Sequence, residues 1–171
     1  MYQYWYYAMI QTGGGGMTLR KRFLVLLIVI ALLALGYSGI VLTNNYLAQR
    51  IETELEAYQL PPKTALVDSL NVAGKLAGNG NGMQYMGAIL VESELSREEL
   101  LAYYSGQFEY IEVREQTSPE LDFIHSRGHR FDGFQKDDEK TCYSVTCWDD
   151  NRRELVGDFV GGLLDLDIRG H

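Results

Sequence analysis

The sequence feature that most constrains this chain is the segment from Phe23 to Leu42, which is twenty residues long and carries no charged side chain. An α-helix rises about 1.5 Å per residue, so a helix of this length matches the hydrocarbon core of a bilayer, which is about 30 Å thick. The segment therefore predicts a single transmembrane anchor over residues 23–43.

The charges that flank this apolar run predict its orientation. Arg20, Lys21 and Arg22 stand directly before it, and the next basic residue is Arg50. Because basic residues favour the cytoplasmic side, the pattern places residues 1–22 in the cytoplasm and the chain from about Thr43 onward outside the cell membrane. A cleaved signal peptide is the alternative, with a small-residue cleavage site at 34–36, although the apolar run continues beyond that site.

The first sixteen residues fit neither kind of targeting segment, because such a segment normally starts shortly before its basic cluster. Met17 opens a well-proportioned signal anchor, and it follows four consecutive glycines. Glycine codons are rich in G, as is a bacterial ribosome-binding site. We therefore interpret residues 1–16 as a leader from a start assigned too early, in a bacterial protein.

The charge of the remaining chain argues against a nucleic-acid partner. All 23 acidic residues follow Thr43, whereas three of the 15 basic residues precede the span and leave 12 after it. A surface this acidic repels phosphate backbones, which proteins bind through Lys and Arg.

Two further segments are predicted beyond the membrane. Leu47, Ile51 and Leu55 recur every four residues, so the helix is expected to continue as a stalk over residues 44–60. Pro61 and Pro62 then end it, because proline lacks a backbone amide hydrogen and forces its predecessor out of helical geometry. We expect residues 61–171 to form the extracytoplasmic domain.

The pattern within residues 61–171 predicts an α+β domain, with a mostly antiparallel sheet and one covering helix. The run over residues 83–94 alternates between two apolar faces, which is typical of an interior strand. One face carries Tyr85, Ile89 and Val91, and the other carries Met86, Ala88 and Leu90. Further strands are predicted at residues 64–78, 110–115, 121–125, 141–148 and 163–169.

The covering helix is predicted to begin after Ser96. Glu99 follows this serine at the capping-box spacing, in which each side chain bonds the backbone amide of the other residue. The helix should then direct one stripe of apolar side chains toward the sheet: Leu100, Leu101, Tyr104 and Phe108.

The glycine-rich segment 78–82 is a candidate phosphate-binding loop or a hairpin turn. A phosphate loop must lead into a helix, whereas Gly82 leads into an alternating strand. Asn-Gly pairs supply the positive φ angles of hairpin turns, so we predict a turn and no cofactor. Because such a turn exposes backbone amides, Asn79 and Asn81 are candidates for a binding surface, together with the aromatic Trp148.

Two cysteines and three histidines are the remaining candidates for chemistry. Cys142 and Cys147 point to opposite faces of a regular strand and lie about 16 Å apart along it, so two packed thiols are predicted and not a disulfide. His125, His129 and His171 could meet only if distant segments adjoin, and the glutamate of an HExxH motif is missing. We therefore predict solvated histidines and no metal, with a metal site as the alternative.

Three segments carry a resemblance to a known group of proteins. LPPKTALVDS, GKLAGNGNGMQYMGAILVESELSREELLAYY and LDLDIRGH are similar to segments of small uncharacterised signal-anchored or lipoprotein-like proteins of Gram-positive bacteria. The resemblance covers about residues 60–171. It implies an exported α+β domain and carries no catalytic residue.

The sequence as a whole favours a membrane-anchored, non-catalytic domain that binds a protein, peptide or glycan of the bacterial cell envelope. The alternative is an anchored enzyme that uses metal or acid–base chemistry at a His/Asp cluster. The two hypotheses predict different surfaces. An enzyme should bring histidines and carboxylates together in a pocket, whereas a binding module should present an exposed aromatic side chain or strand edge.

Overall fold

A computed structural model describes residues 18–76, 82–121, 128–135, 141–149 and 160–168. These residues form helices α1 (Leu19–Ala57) and α2 (Arg97–Ser105) and strands β1 (Thr64–Gly74), β2 (Gln84–Ser93), β3 (Ile111–Glu115) and β4 (Thr141–Asp149). Residues 160–164 add a short helical segment. The chain divides into two compact units, Met1–Ser38 and Gly39–His171.

The described part of the first unit, residues 18–38, is helical from Leu19 onward. Helix α1 is long and apolar enough to cross a membrane, and none of its apolar window is buried. Large apolar side chains such as Phe23, Leu32 and Leu35 are more than 60% exposed, which a helix in the core of a soluble protein would not allow. A signal sequence would show the same exposure. These features suggest membrane anchoring.

The second unit begins inside α1, and this differs from the predicted stalk. Leu47, Ile51 and Leu55 are buried in the core of the domain, with Asn44 and Ala48 beside them. The apolar stripe was recognised in the sequence, but periodicity does not show which surface a stripe covers. The folded unit therefore includes Gly39–Ala57, and this core helix ends at Ala57, four residues before Pro61.

The four strands form one antiparallel sheet in the order β1-β2-β4-β3, which confirms the α+β class. Strands β2 and β4 are central and largely buried, as the two-sided apolar pattern of β2 predicted. The predicted strands at 64–78, 83–94, 110–115 and 141–148 correspond to β1, β2, β3 and β4.

Each face of the sheet has its own core. One face packs against α1 and α2 through Tyr85, Ile89 and Val91 of β2. Met86, Ala88 and Leu90 belong to the opposite cluster, which includes Leu121 and Phe131 from the connection before β4. The predicted partition of β2 is confirmed, and so is the inward stripe of α2, where Leu100 and Tyr104 are buried. The C-terminal half of α1 joins α2 in covering the first face.

The prediction of a strand at residues 163–169 is wrong. Residues 160–164 are helical and 165–166 form a turn, with Asp165 N bonded to Gly161 O and Asp167 N to Leu164 O. Of the alternating apolar side chains that suggested a strand, only Leu164 is buried. The strand predicted at 121–125 lies mostly outside the described residues. Its first residue, Leu121, follows the isolated bridge between Glu120 and Arg130.

Candidate functional site

A groove of about 920 Å³ lies at one end of the sheet. It forms where β1 begins, β2 ends and β4 begins, because antiparallel pairing aligns Thr64 with Ser93 and Ser93 with Thr141. The volume is within the range of small-ligand sites. The lining is largely polar: Lys63, Thr64, Glu92, Ser93, Glu94, Ser96, Glu99, Thr141 and Tyr143, with Ala65 and Leu95.

Lys63 occupies a constrained position at the mouth of this groove. Its φ angle is 60°, in the left-handed region that a residue with a side chain seldom adopts. Two contacts with one residue hold it there: Lys63 Nζ lies 2.6 Å from Glu94 Oε2, and Glu94 N donates to Lys63 O at 3.2 Å. The hydrogen bond to Glu94 raises the pKa of the Lys63 ammonium, so the group stays charged.

The cap of α2 forms the opposite wall. The Ser96 side chain accepts from Glu99 N, and Glu99 Oε2 accepts from Ser96 N at 2.8 Å, so the predicted capping box is confirmed. These bonds from Ser96 lower the pKa of the Glu99 carboxyl. Burial raises the pKa of the Tyr143 phenol, and the negative charge of Glu115 adds to the effect.

These shifts suit binding better than proton transfer. General acid–base catalysis works best with a group whose pKa lies near the working pH. The pKa values of Lys63, Glu99 and Tyr143 all shift away from neutral pH, so each group keeps one protonation state there. The groove therefore offers fixed carboxylates and hydroxyls for hydrogen bonding. Among the described residues that line it, three carboxylates outnumber one lysine, which is already paired with Glu94.

The predicted binding-surface residues do not line this groove. Asn79 and Asn81 lie outside the described residues, although the hairpin they were expected to close is present as the β1–β2 pair. Trp148 is half-buried and packs against the second core cluster, and its backbone N donates to Tyr110 O at 2.9 Å. The surface predicted from these three residues stays a prediction.

The histidine cluster is described only at its middle member. His125 and His171 lie outside the described residues, and His129 is half-buried, with its carbonyl oxygen accepting from Leu121 N at 3.1 Å. Burial lowers the pKa of the His129 imidazole. Among the residues the structure describes, no group of three or more His, Cys, Asp or Glu side chains could hold a metal ion.

Both cysteines are buried. Cys142 belongs to the second core cluster and Cys147 to the first, which confirms that they point to opposite faces of β4.

The groove itself was missed by sequence reasoning. Its residues belong to three segments that are far apart along the chain, and no spacing links Lys63 to Glu94 or Tyr143. The local signals were Pro61-Pro62, which was interpreted only as a helix stop, and the capping box, which was interpreted only as a helix start.

Comparison with protein-family models, with curated proteins and with solved structures found no match.

Proposed function

We propose that this chain is a single-pass protein of the bacterial cell membrane whose α+β domain lies outside the cytoplasm and binds an envelope component without catalysis. The observation that carries the proposal is the composition of α1, a single helix. The first part of α1 is an exposed apolar segment that is long enough to span a bilayer, and its last part contributes core residues to the domain. Arg20, Lys21 and Arg22 before the span favour a cytoplasmic N-terminus.

The groove at the end of the sheet is the binding site in this proposal. Its carboxylates favour a polar partner that carries positive charge, such as a basic peptide segment of an envelope protein. The first residues of β1, an edge strand of the sheet, form one side of the groove, and a strand edge can also pair with an extended peptide.

The test is site-specific photo-crosslinking of the full chain in its native cells. A photoreactive side chain at the exposed groove position Ala65 should give a discrete adduct, whereas the same group at the exposed α1 position Thr53 should not. The charge reversal Glu94→Lys should reduce the adduct at position 65, and Glu56→Lys, at an exposed helix site away from the groove, should leave it unchanged. A normally expressed protein that gives no adduct at position 65 would contradict the assigned site.

A further inference from the structure

The polarity of the C-terminal segment, residues 160–168, is inverted relative to a surface that faces water. Its two acidic side chains turn inward: Asp167 is fully buried, and Asp165 Oδ1 accepts from Met83 N at 2.7 Å. Leu164 packs into the core, but three other apolar side chains turn outward, with Leu163 39%, Leu166 57% and Ile168 70% exposed. An exposed apolar cluster on a charged chain is typical of a surface that meets another apolar phase.

Hydrogen bonds fix this segment to one position on α1. The fully buried Asn44 donates from Nδ2 to Leu164 O at 3.1 Å and to Asp167 Oδ2 at 2.9 Å. Its Oδ1 accepts from Tyr85 OH at 2.8 Å. Buried polar groups are costly to leave unpaired, so these bonds hold the acidic side inward and the apolar side outward.

The position of Asn44 in α1 indicates what lies next to the exposed apolar side chains of residues 160–168. It follows Leu42, the last residue of the uncharged run, by two residues, which is about 3 Å along a helix. Leu42 and Tyr46 on either side of it in the same helix are 67% and 58% exposed. Tyrosine is enriched where a spanning helix leaves the hydrocarbon core. Asn44 therefore marks the level of the membrane interface if α1 spans the bilayer.

We propose that Leu163, Leu166 and Ile168 insert into the lipid interface of the non-cytoplasmic leaflet, as a second lipid contact of the domain besides α1. This inference rests on the membrane anchoring proposed above. The arrangement is that of an interfacial amphipathic element, in which apolar side chains enter the boundary between headgroups and acyl chains. Here the polar side chains, Asp165 and Asp167, accept hydrogen bonds from Met83 and Asn44 of the domain.

The experiment uses the full chain in phosphatidylcholine vesicles, labelled with an environment-sensitive fluorophore at Ile168→Cys or, separately, at Leu166→Cys. Both positions are exposed, so substitution removes no core packing, and the unsubstituted chain reports labelling of its two buried thiols. Lipids that carry a nitroxide quencher near the headgroup should quench both labels, with emission shifted to the blue. A label at the exposed groove residue Glu94 should stay unquenched, because the groove lies at the opposite end of β2 from Tyr85 and Asn44.

A label at Leu32→Cys, in the middle of the apolar run and measured with lipids that carry the nitroxide deep in the acyl chain, separates the two hypotheses. Quenching at position 32 without quenching at 166 and 168 would overturn the interfacial contact and leave the anchor intact. A blue shift at 168 without lipid quenching would also overturn it, since a protein surface such as a second copy would then cover the segment. Absence of quenching at position 32 would remove the anchor and, with it, this inference.

Discussion

Single residues decide how closely the layers of this domain approach. Gly87 is the clearest case, because β2 meets the backbone of α1 at this point. A Cβ atom built on Gly87 would collide with Glu52 N, and would lie 2.7 Å from Ile51 C and 2.8 Å from Glu52 Cα. All three atoms are helix backbone, which cannot rotate away as a side chain could.

Gly87→Ala should therefore destabilise the domain by about 1–3 kcal/mol, the usual range for overpacking a well-filled core. Gly106→Ala is the matched control, since its nearest neighbour atom would be 3.6 Å away and its φ of −71° suits any residue. Denaturant unfolding of the full chain in detergent, followed by circular dichroism, measures both. Equal stability of the two variants would contradict the close approach of α1 to β2.

Tyr104 carries a buried polar atom that no described residue pairs. Its ring is fully buried beside Tyr58 and Tyr103, with ring centroids 5.9 Å and 5.3 Å away. Its hydroxyl has no hydrogen-bond partner among the described residues. Burial raises the pKa of this phenol to about 12, and the neighbouring tyrosines add to the effect.

We expect Tyr104→Phe to be at least as stable as the parent chain, because an unpaired buried hydroxyl contributes no net stabilisation. Tyr103→Phe should lose about 1 kcal/mol, because the Tyr103 hydroxyl donates to Gln59 O at 2.7 Å. Thermal unfolding midpoints compare the two. A larger loss at position 104 than at position 103 would show that the Tyr104 hydroxyl is paired.

At the scale of elements, α2 is held by its cap and by the strand beside it. Arg97 Nε donates to Val113 O at 2.8 Å, so the first turn is bonded to β3. The Ser96–Glu99 capping box satisfies two backbone amides that a helix start leaves free. Two acidic residues, Glu98 and Glu99, occupy the first turn, where the helix dipole favours negative charge.

The lowered pKa of Glu99 predicts a pH dependence. Folding lowers the pKa of the Glu99 carboxyl below its ordinary value of 4.5. The stabilisation that the charged carboxylate gives the folded state is therefore fully present above pH 4.5, and it is lost as the pH falls through the pKa of the folded state. The unfolding midpoints of the parent chain and Glu99→Gln should therefore converge on acidification. A constant gap between the parent chain and Glu99→Gln would contradict the role of the charged form.

The second element-scale feature is the attachment of residues 160–168 to α1. Asn44→Ala should cost about 2–3 kcal/mol, because it leaves the buried Asp167 carboxylate and the Tyr85 hydroxyl without one partner each. Asn45→Ala, at the exposed neighbouring position, should change the free energy of unfolding little. Hydrogen exchange should show faster exchange at residues 164–168 in the first variant alone. Unchanged protection there would mean that other contacts hold the segment.

At the scale of the whole molecule, the proposed topology makes a separate prediction. Ala65→Cys should react with a membrane-impermeant maleimide in intact cells, whereas Thr18→Cys should react only after permeabilisation. Both positions are exposed, and the native thiols are buried, so the label reports the side of the membrane. The reverse labelling pattern would overturn the orientation drawn from Arg20, Lys21 and Arg22.

Much of the secondary structure followed from local pattern. The uncharged run over Phe23–Leu42, the capping box at Ser96 and Glu99, and the two-sided alternation of β2 each correspond to an element in the structure. Such signals are legible because helix caps and strand faces depend on residues a few positions apart. The segment 163–169 was misassigned because an alternation over so few residues also fits a helical turn that buries Leu164 alone.

The sequence by itself determined most of the described elements and the opposite orientations of Cys142 and Cys147, since both depend on backbone periodicity. The tertiary structure alone decided what each apolar stripe covers. Leu47, Ile51 and Leu55 became core because Gly87 lets α1 approach the sheet. The tertiary structure also forms the groove around Lys63 and Glu94 and pairs Asn44 with Asp167. These residues meet only through packing between segments that are distant in the chain.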